Sequence, residues 1–166
     1  MPDAVLLPGS YDPVTLGHLN IIERAALLFD HVHVVIFINP DKQYTFTVEE
    51  RLQLLTAAIS TLPPSLQKKI CLATDDGMVI DYSRRHGISL IVKGVRNQQD
   101  FVYEQKMAAY NLENGGVETV FMQASPNLKE ISSTSLRKAL AQGRALEEFS
   151  SPPVIALLHQ FYEKKD

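Results

Sequence analysis

Short apolar runs alternate along this chain with longer stretches whose apolar positions recur at intervals of three and four. Ala4–Leu7 is the first run and predicts a short buried strand; behind it Ile21, Ile22, Ala25, Ala26 and Phe29 recur at helical spacing from Gly17 onward. His31–Ile38, β-branched and mostly apolar, predicts a second strand. Thr47 with Glu50 three residues later is the sequence form of a capping box. It opens a helix with Val48, Leu52, Leu55 and Ile59 on one face, which stops before Pro63-Pro64. Ile70–Ala73 predicts a third strand, Met78–His86 a helix ended by Gly87, and Ile88–Val92 a fourth strand. Asp100 is placed to cap a helix running to Asn114 and closed by Gly115-Gly116. Val117–Met122 predicts a fifth strand, and Ser133–Ala141 a short helix with Gly143 beyond it. Pro152-Pro153 starts a last helix reaching Glu163.

Continuously apolar strands separated by helices imply a parallel sheet covered on both faces. The expected fold class is therefore α/β: a doubly wound, Rossmann-like five-stranded parallel sheet with helices on both faces. With 166 residues and no repeat, low-complexity segment or linker, a single domain spanning 1–166 is expected.

Composition narrows the function classes. The chain is 45% hydrophobic and 21% charged, ordinary values for a soluble globular protein. Its formal net charge of -3 supplies no general attraction to nucleic acid or to an anionic membrane, so an anion site has to be local. No run reaches the roughly 20 apolar residues of a membrane span, and no signal pattern opens the chain. A single cysteine, Cys71, fits a reducing cytoplasm and reads as a small buried hydrophobe on its strand. His31, His33, His86 and His159 show no ligand-like pairing and read as structural or surface groups; no metal ligands are expected from the chain.

In a sheet of this class ligands bind beyond the carboxyl ends of the strands, near the point where strand order reverses. That rule sorts the polar residues. Strand one is followed by Ser10, Asp12 and His18, and strand two by Asn39-Pro40-Asp41-Lys42. Strand four leads into Lys93-Gly94-Val95-Arg96, and strand five into Ile131-Ser132-Ser133-Thr134-Ser135. Cations, hydroxyls and helix N-termini pooled at one edge favour phosphate. Within Gly9–His18, Gly9 is expected to allow a tight turn and close approach, and Gly17 to bare the helix entry. The helix dipole is expected to lower the pKa of His18, leaving a neutral imidazole that still donates one hydrogen bond.

The stretch Pro8–His18, ending Thr15-Leu16-Gly17-His18, resembles the strand-one signature of the nucleotidylyltransferase superfamily. Ile131–Ser135 resembles its second hallmark, an Ile-Ser-Ser box at a helix start. The segment Leu90–Asn111 is similar to one typical of the phosphopantetheine adenylyltransferases, as are Asp30-His31-Val32 and Phe46–Arg51; the likeness spans residues 4 to 160. That resemblance implies adenylyl transfer from ATP, with magnesium, to 4'-phosphopantetheine, giving dephospho-coenzyme A and pyrophosphate.

It further implies roles. His18 would donate to the α-phosphate, Lys42 bridge it to the incoming phosphate, Ser10 position that nucleophile, and Arg96 hold the ATP phosphates. Tyr11, Gly17, Lys93, Gly94, Ser132, Ser133, Thr134 and Ser135 would complete the nucleotide site, with Tyr103 and Glu104 near ribose and adenine. Lys93, Val79, Met107 and Asn111 would join Ser10 and Lys42 around the acceptor. Three departures stand out. Lys93 stands where the family commonly has arginine, which loses the bidentate fork, and Ser10 replaces a frequent threonine. The Ile131–Ser135 box, followed by Leu136-Arg137, looks slightly more like the nicotinate-mononucleotide relatives. The resemblance also implies a homohexamer with coenzyme A as a feedback ligand. The tail helix, with Val154, Ile155, Leu157, Leu158 and Phe161, could pack internally or against a neighbour. The alternatives are transfer to nicotinate mononucleotide or another small phosphate, and a non-catalytic nucleotide-binding module.

Overall fold

The apolar runs form one parallel sheet in the order β3-β2-β1-β4-β5. The structure, a computed structural model, describes residues 2–165. Its strands are β1 (Ala4–Gly9), β2 (His31–Phe37), β3 (Ile70–Asp75), β4 (Leu90–Val95) and β5 (Glu118–Gln123). The helices are α1 (Leu16–Leu28), α2 (Val48–Ile59), α3 (Pro64–Gln67), α4 (Val79–His86), α5 (Gln98–Gly115), α6 (Ser133–Ala141) and α7 (Pro152–Glu163). The short α3 and a 3-10 turn at Pro126–Leu128 go beyond the elements read from periodicity.

Alternation along the strands divides the core between two faces. Val5, Leu7, Val32, Val34, Ile36 and Val92 pack with residues of α1, α2, α6 and α7, whereas Leu6, Val35 and Ile91 pack with Ile80 and Tyr82 of α4. At α7, Val154, Leu158 and Phe161 are buried in the first cluster, so the tail helix packs internally. In contrast, α5 buries only Asn111 among its eighteen residues and leaves Phe101, Val102, Tyr103, Met107, Tyr110 and Leu112 exposed.

Three local expectations are corrected. Asn97, not Asp100, caps α5: its side chain accepts from the Asp100 N–H, and Asp100 sits one turn inside. The Thr47–Glu50 capping box forms as read, but α2 buries Arg51, Leu54, Leu55, Ala58 and Ile59, with Leu52 only partly covered. Cys71 is exposed. It lies on β3, an edge strand with a neighbour on one side only, so strand membership does not enclose it.

Strand order reverses between β1 and β4, which are direct neighbours. The loops leaving both strands flank that reversal, and the cleft described next opens there.

Candidate active site

The loop Gly9–His18 takes its shape from buried contacts more than from freely turning glycine. Tyr11 has φ 47, a left-handed conformation unusual for a non-glycine residue, and its hydroxyl donates to Leu7 O at 3.0 Å. Burial pushes its phenol above the ordinary pKa. The ring lies so near Gly9 that a Cβ there would be 3.0 Å from it. Gly9 is thus required by a neighbouring ring; its own φ is not in the left-handed region.

Other elements tie down the loop's polar groups. The Asp12 carboxylate accepts from the N–H groups of Thr45 and Phe46 at 2.8 and 2.9 Å. Arg51 of α2 donates to Ser10 O at 2.9 Å, and Arg137 of α6 donates to Asp12 O at 2.7 Å. Ser133 Oγ donates to Pro13 O at 2.8 Å, and Leu16 N to Phe149 O at 2.8 Å. Arg51 closes the Phe46–Arg51 stretch and Arg137 follows the Ile131–Ser135 box, yet the sequence assigns neither a role, because the loop carbonyls they hold lie 41 and 125 residues away.

His18 begins α1 inside a reciprocal cap. Its N–H donates to Thr15 Oγ1, while Thr15 N donates to His18 Nδ1 at 3.0 Å. An Nδ1 that accepts a hydrogen bond places the proton of the neutral ring on Nε2, leaving that N–H as the free donor. Burial, then the nearby charges of Lys93 and Arg96, lower the His18 pKa to about 4. The direction agrees with expectation, and desolvation is its largest cause, followed by the two cations.

These groups line a cleft of about 470 Å³ at the carboxyl edge of the sheet. Its wall includes Ser10, Tyr11, Gly17, His18, Lys42, Lys93, Gly94, Arg96, Glu104, Ser132, Ser133 and Thr134. Asp12, Thr15, Thr45 and Arg137 line it as well. Lys42 Nζ stands 3.3 Å from Ser10 Oγ and has no carboxylate within ion-pair distance among the described residues. Lys93 pairs with Glu104 at 3.3 Å, and Arg96 with Asp100 at 3.1 Å, so α5 supplies the counter-ions of the cations on β4 and just after it. Gly94 admits α1 closely: a Cβ there would meet Ile21 at 2.9 Å.

At α6 the hydroxyls serve the fold. Ser132 and Ser135 complete a capping box, Ser133 Oγ is engaged with Pro13, and Thr134 Oγ1 accepts from Arg137 at 3.2 Å. What the helix start offers an anion is its amides, since the N–H groups of Ser133 and Thr134 have no intrahelical acceptor. Ser135 is outside the cleft wall, its hydroxyl held in the cap. Tyr103, Met107, Val79 and Asn111 are outside it too. Tyr103 and Met107 project from the exposed side of α5, Val79 packs on the second core cluster, and Asn111 is buried near the end of α5.

The chain matches the family described as cytidylyltransferase-like over residues 6–139. It is 42% identical over 158 residues to a phosphopantetheine adenylyltransferase of Symbiobacterium thermophilum, covering 95% of this chain and 94% of that one. The phosphopantetheine adenylyltransferase of Staphylococcus carnosus is 37% identical over 161 residues, covering 96% of each chain. Among solved structures, the Plasmodium falciparum nicotinic acid mononucleotide adenylyltransferase complexed with NaAD superposes with a TM-score of 0.71. That likeness covers 96% of this chain and 97% of the other at 17% identity, and so speaks for the fold alone. With identity at this level sustained across nearly the whole length, the chain belongs to the cytidylyltransferase-like family and, within it, to the phosphopantetheine adenylyltransferases.

Proposed function

We propose that this protein transfers the adenylyl group of ATP to 4'-phosphopantetheine, and that residues 1–166 act as a single nucleotidyltransferase domain. The observation that carries the reading is the meeting, in one cleft at the strand-order reversal, of the His18 imidazole, the unpaired Lys42 ammonium and the α6 amides. A phosphate monoester is already anionic near neutral pH, its second pKa being about 6, so the attack needs no general base. A phosphate oxygen of the acceptor attacks the α-phosphorus of ATP in line; the bond to the bridging oxygen breaks, and pyrophosphate leaves with its electron pair.

On this reading His18 Nε2–H donates to the α-phosphate as its charge grows. Lys42 spans that phosphate and the acceptor, and Ser10 orients the acceptor's phosphate. Arg96, Lys93 and the amides of Ser133 and Thr134 hold the departing phosphates. Lys93 supplies a point charge in place of a planar fork. Magnesium enters with the substrate as Mg-ATP, whose phosphates bring their own oxygen ligands; among the described residues no three His, Cys, Asp or Glu side chains gather to hold a metal.

The proposed setting is a cytoplasmic homohexamer with coenzyme A as a feedback ligand. The exposed apolar side chains of α5 support assembly, and no helix among the described residues is long and apolar enough to cross a membrane. Pyrophosphate release from Mg-ATP tests the function: it is expected with 4'-phosphopantetheine and absent with nicotinate mononucleotide. Release with nicotinate mononucleotide alone would overturn the acceptor, and ATP binding without turnover on either would leave a binding module.

A further inference from the structure

Arg51 is the bulkiest side chain enclosed in the core, 1% exposed. Its guanidinium has no carboxylate within ion-pair distance among the described residues. Enclosing an unpaired charge is costly unless polar atoms replace its water. Here Nε donates to Phe46 O at 3.1 Å, Nη1 donates to Ser10 O at 2.9 Å, and the Tyr44 ring lies 4.0 Å from the guanidinium carbon. Two carbonyls and one π face thus do what a counter-ion usually does.

The two carbonyls belong to different loops. Ser10 follows β1, and Phe46 lies between β2 and α2 in the segment that also carries Lys42. The Asp12 carboxylate ties the same loops through the N–H of Phe46, so the Phe46 peptides are held on both sides. Arg51 itself is not part of the cleft wall. It stands behind the point where Lys42 Nζ meets Ser10 Oγ.

We propose that Arg51 is a positioning residue for the acceptor's phosphate: it locks the Ser10 loop to the Lys42 loop and places an unpaired positive charge behind that subsite. This rests on the adenylyl-transfer reading. The planar fork matters because its separate N–H groups reach two carbonyls at once, which a lysine ammonium on a flexible stem cannot reproduce. Ser10 is assigned to the acceptor and Lys42 to the acceptor and the α-phosphate together, while most of the ATP contacts are carried by β4, the loop after it and α6. Disturbing Arg51 therefore loosens the acceptor far more than the nucleotide.

The test compares wild type, Arg51→Lys and Arg51→Met for turnover of Mg-ATP with 4'-phosphopantetheine, and for direct ATP binding by calorimetry. Arg51→Met is expected to lower kcat/KM for the acceptor by about tenfold to a hundredfold, the scale of a misplaced reacting group. Its ATP dissociation constant should stay within about twofold, because an effect confined to one substrate leaves the other's binding intact. Arg51→Lys, keeping charge but losing the bridge, should fall between. ATP and acceptor weakening in parallel would reduce Arg51 to a core residue, and a lysine variant as active as wild type would show that no bridge is needed; either result overturns the proposal. If Arg51→Met does not fold, Arg51→Lys decides: it is expected to raise acceptor KM with ATP affinity unchanged, and unchanged acceptor kinetics would overturn the proposal. An inactive wild type removes the functional reading and this inference together; an active wild type with a flat Arg51 series removes only the inference.

Discussion

The two walls of the cleft are built on different principles. The Gly9–His18 wall is fixed by hydrogen bonds from α2 and α6 that end on backbone carbonyls, and by bonds from the Thr45 and Phe46 N–H groups that end on the Asp12 carboxylate. The β4–α5 wall presents Lys93 and Arg96 on partly exposed ion pairs with Glu104 and Asp100. Buried hydrogen bonds are expensive to leave unmade, whereas partly exposed pairs are worth little and exchange partners readily. On the proposed reading, one wall holds geometry where the phosphorus would be attacked. The other holds charge that could pass from carboxylate to phosphate when the nucleotide arrives.

The strongest way to break this contrast is at His18. His18→Ala should lower kcat by roughly 10²–10³, the loss seen when one preorganised donor to developing charge is removed, while ATP affinity measured by calorimetry changes little. Equal losses in both would make His18 a ground-state ligand. Next comes Asp12→Ala, which orphans two N–H groups at a cost of about 1–3 kcal/mol each. A denaturant melt should show that loss even with no substrate present, and an unchanged midpoint would mean that the first wall is not held as described.

Acid gives a smaller, graded effect. The His18 pKa is lowered to about 4, against an ordinary value of 6.5, so between those values the unfolded chain binds a proton the native one refuses. Stability from this group is complete above the ordinary value and is lost as pH falls through the lowered one. For kcat, no limb from this imidazole should appear at pH 5 and above; a limb near about 6 belongs to the acceptor's phosphate and should persist in His18→Asn. The mildest change is Glu104→Gln on the other wall. Losing that ion pair should lower the unfolding free energy from a urea melt by under about 1 kcal/mol, and a larger loss would show that this wall, too, is structural.

Much of this arrangement is legible in the sequence. Element order followed from periodicity, and the Thr47–Glu50 cap from the spacing of its two residues. The parallel sheet follows from apolar strands alternating with helices, and the gathering of His18, Lys42 and Arg96 at one rim from their places after strands one, two and four; the strand order and its reversal between β1 and β4 are visible only in the folded chain. What escaped were contacts between distant segments. Arg51 counts as polar in any amphipathic reading, so the α2 stripe was drawn through Val48 and Leu52 instead of through Arg51 and Leu54. Asn97 and Asp100 are both competent caps three residues apart, and only the folded chain shows which one begins the helix. Gly9 looked like a turn glycine, since nothing local reveals that a tyrosine ring will settle over it.

The exposure of Cys71 has a practical side. It is the chain's one cysteine, and it sits near the start of an edge strand, at the end of the sheet away from the cleft. A maleimide dye would attach there, giving the natural sequence a single label that leaves the cleft free, with no engineered handle.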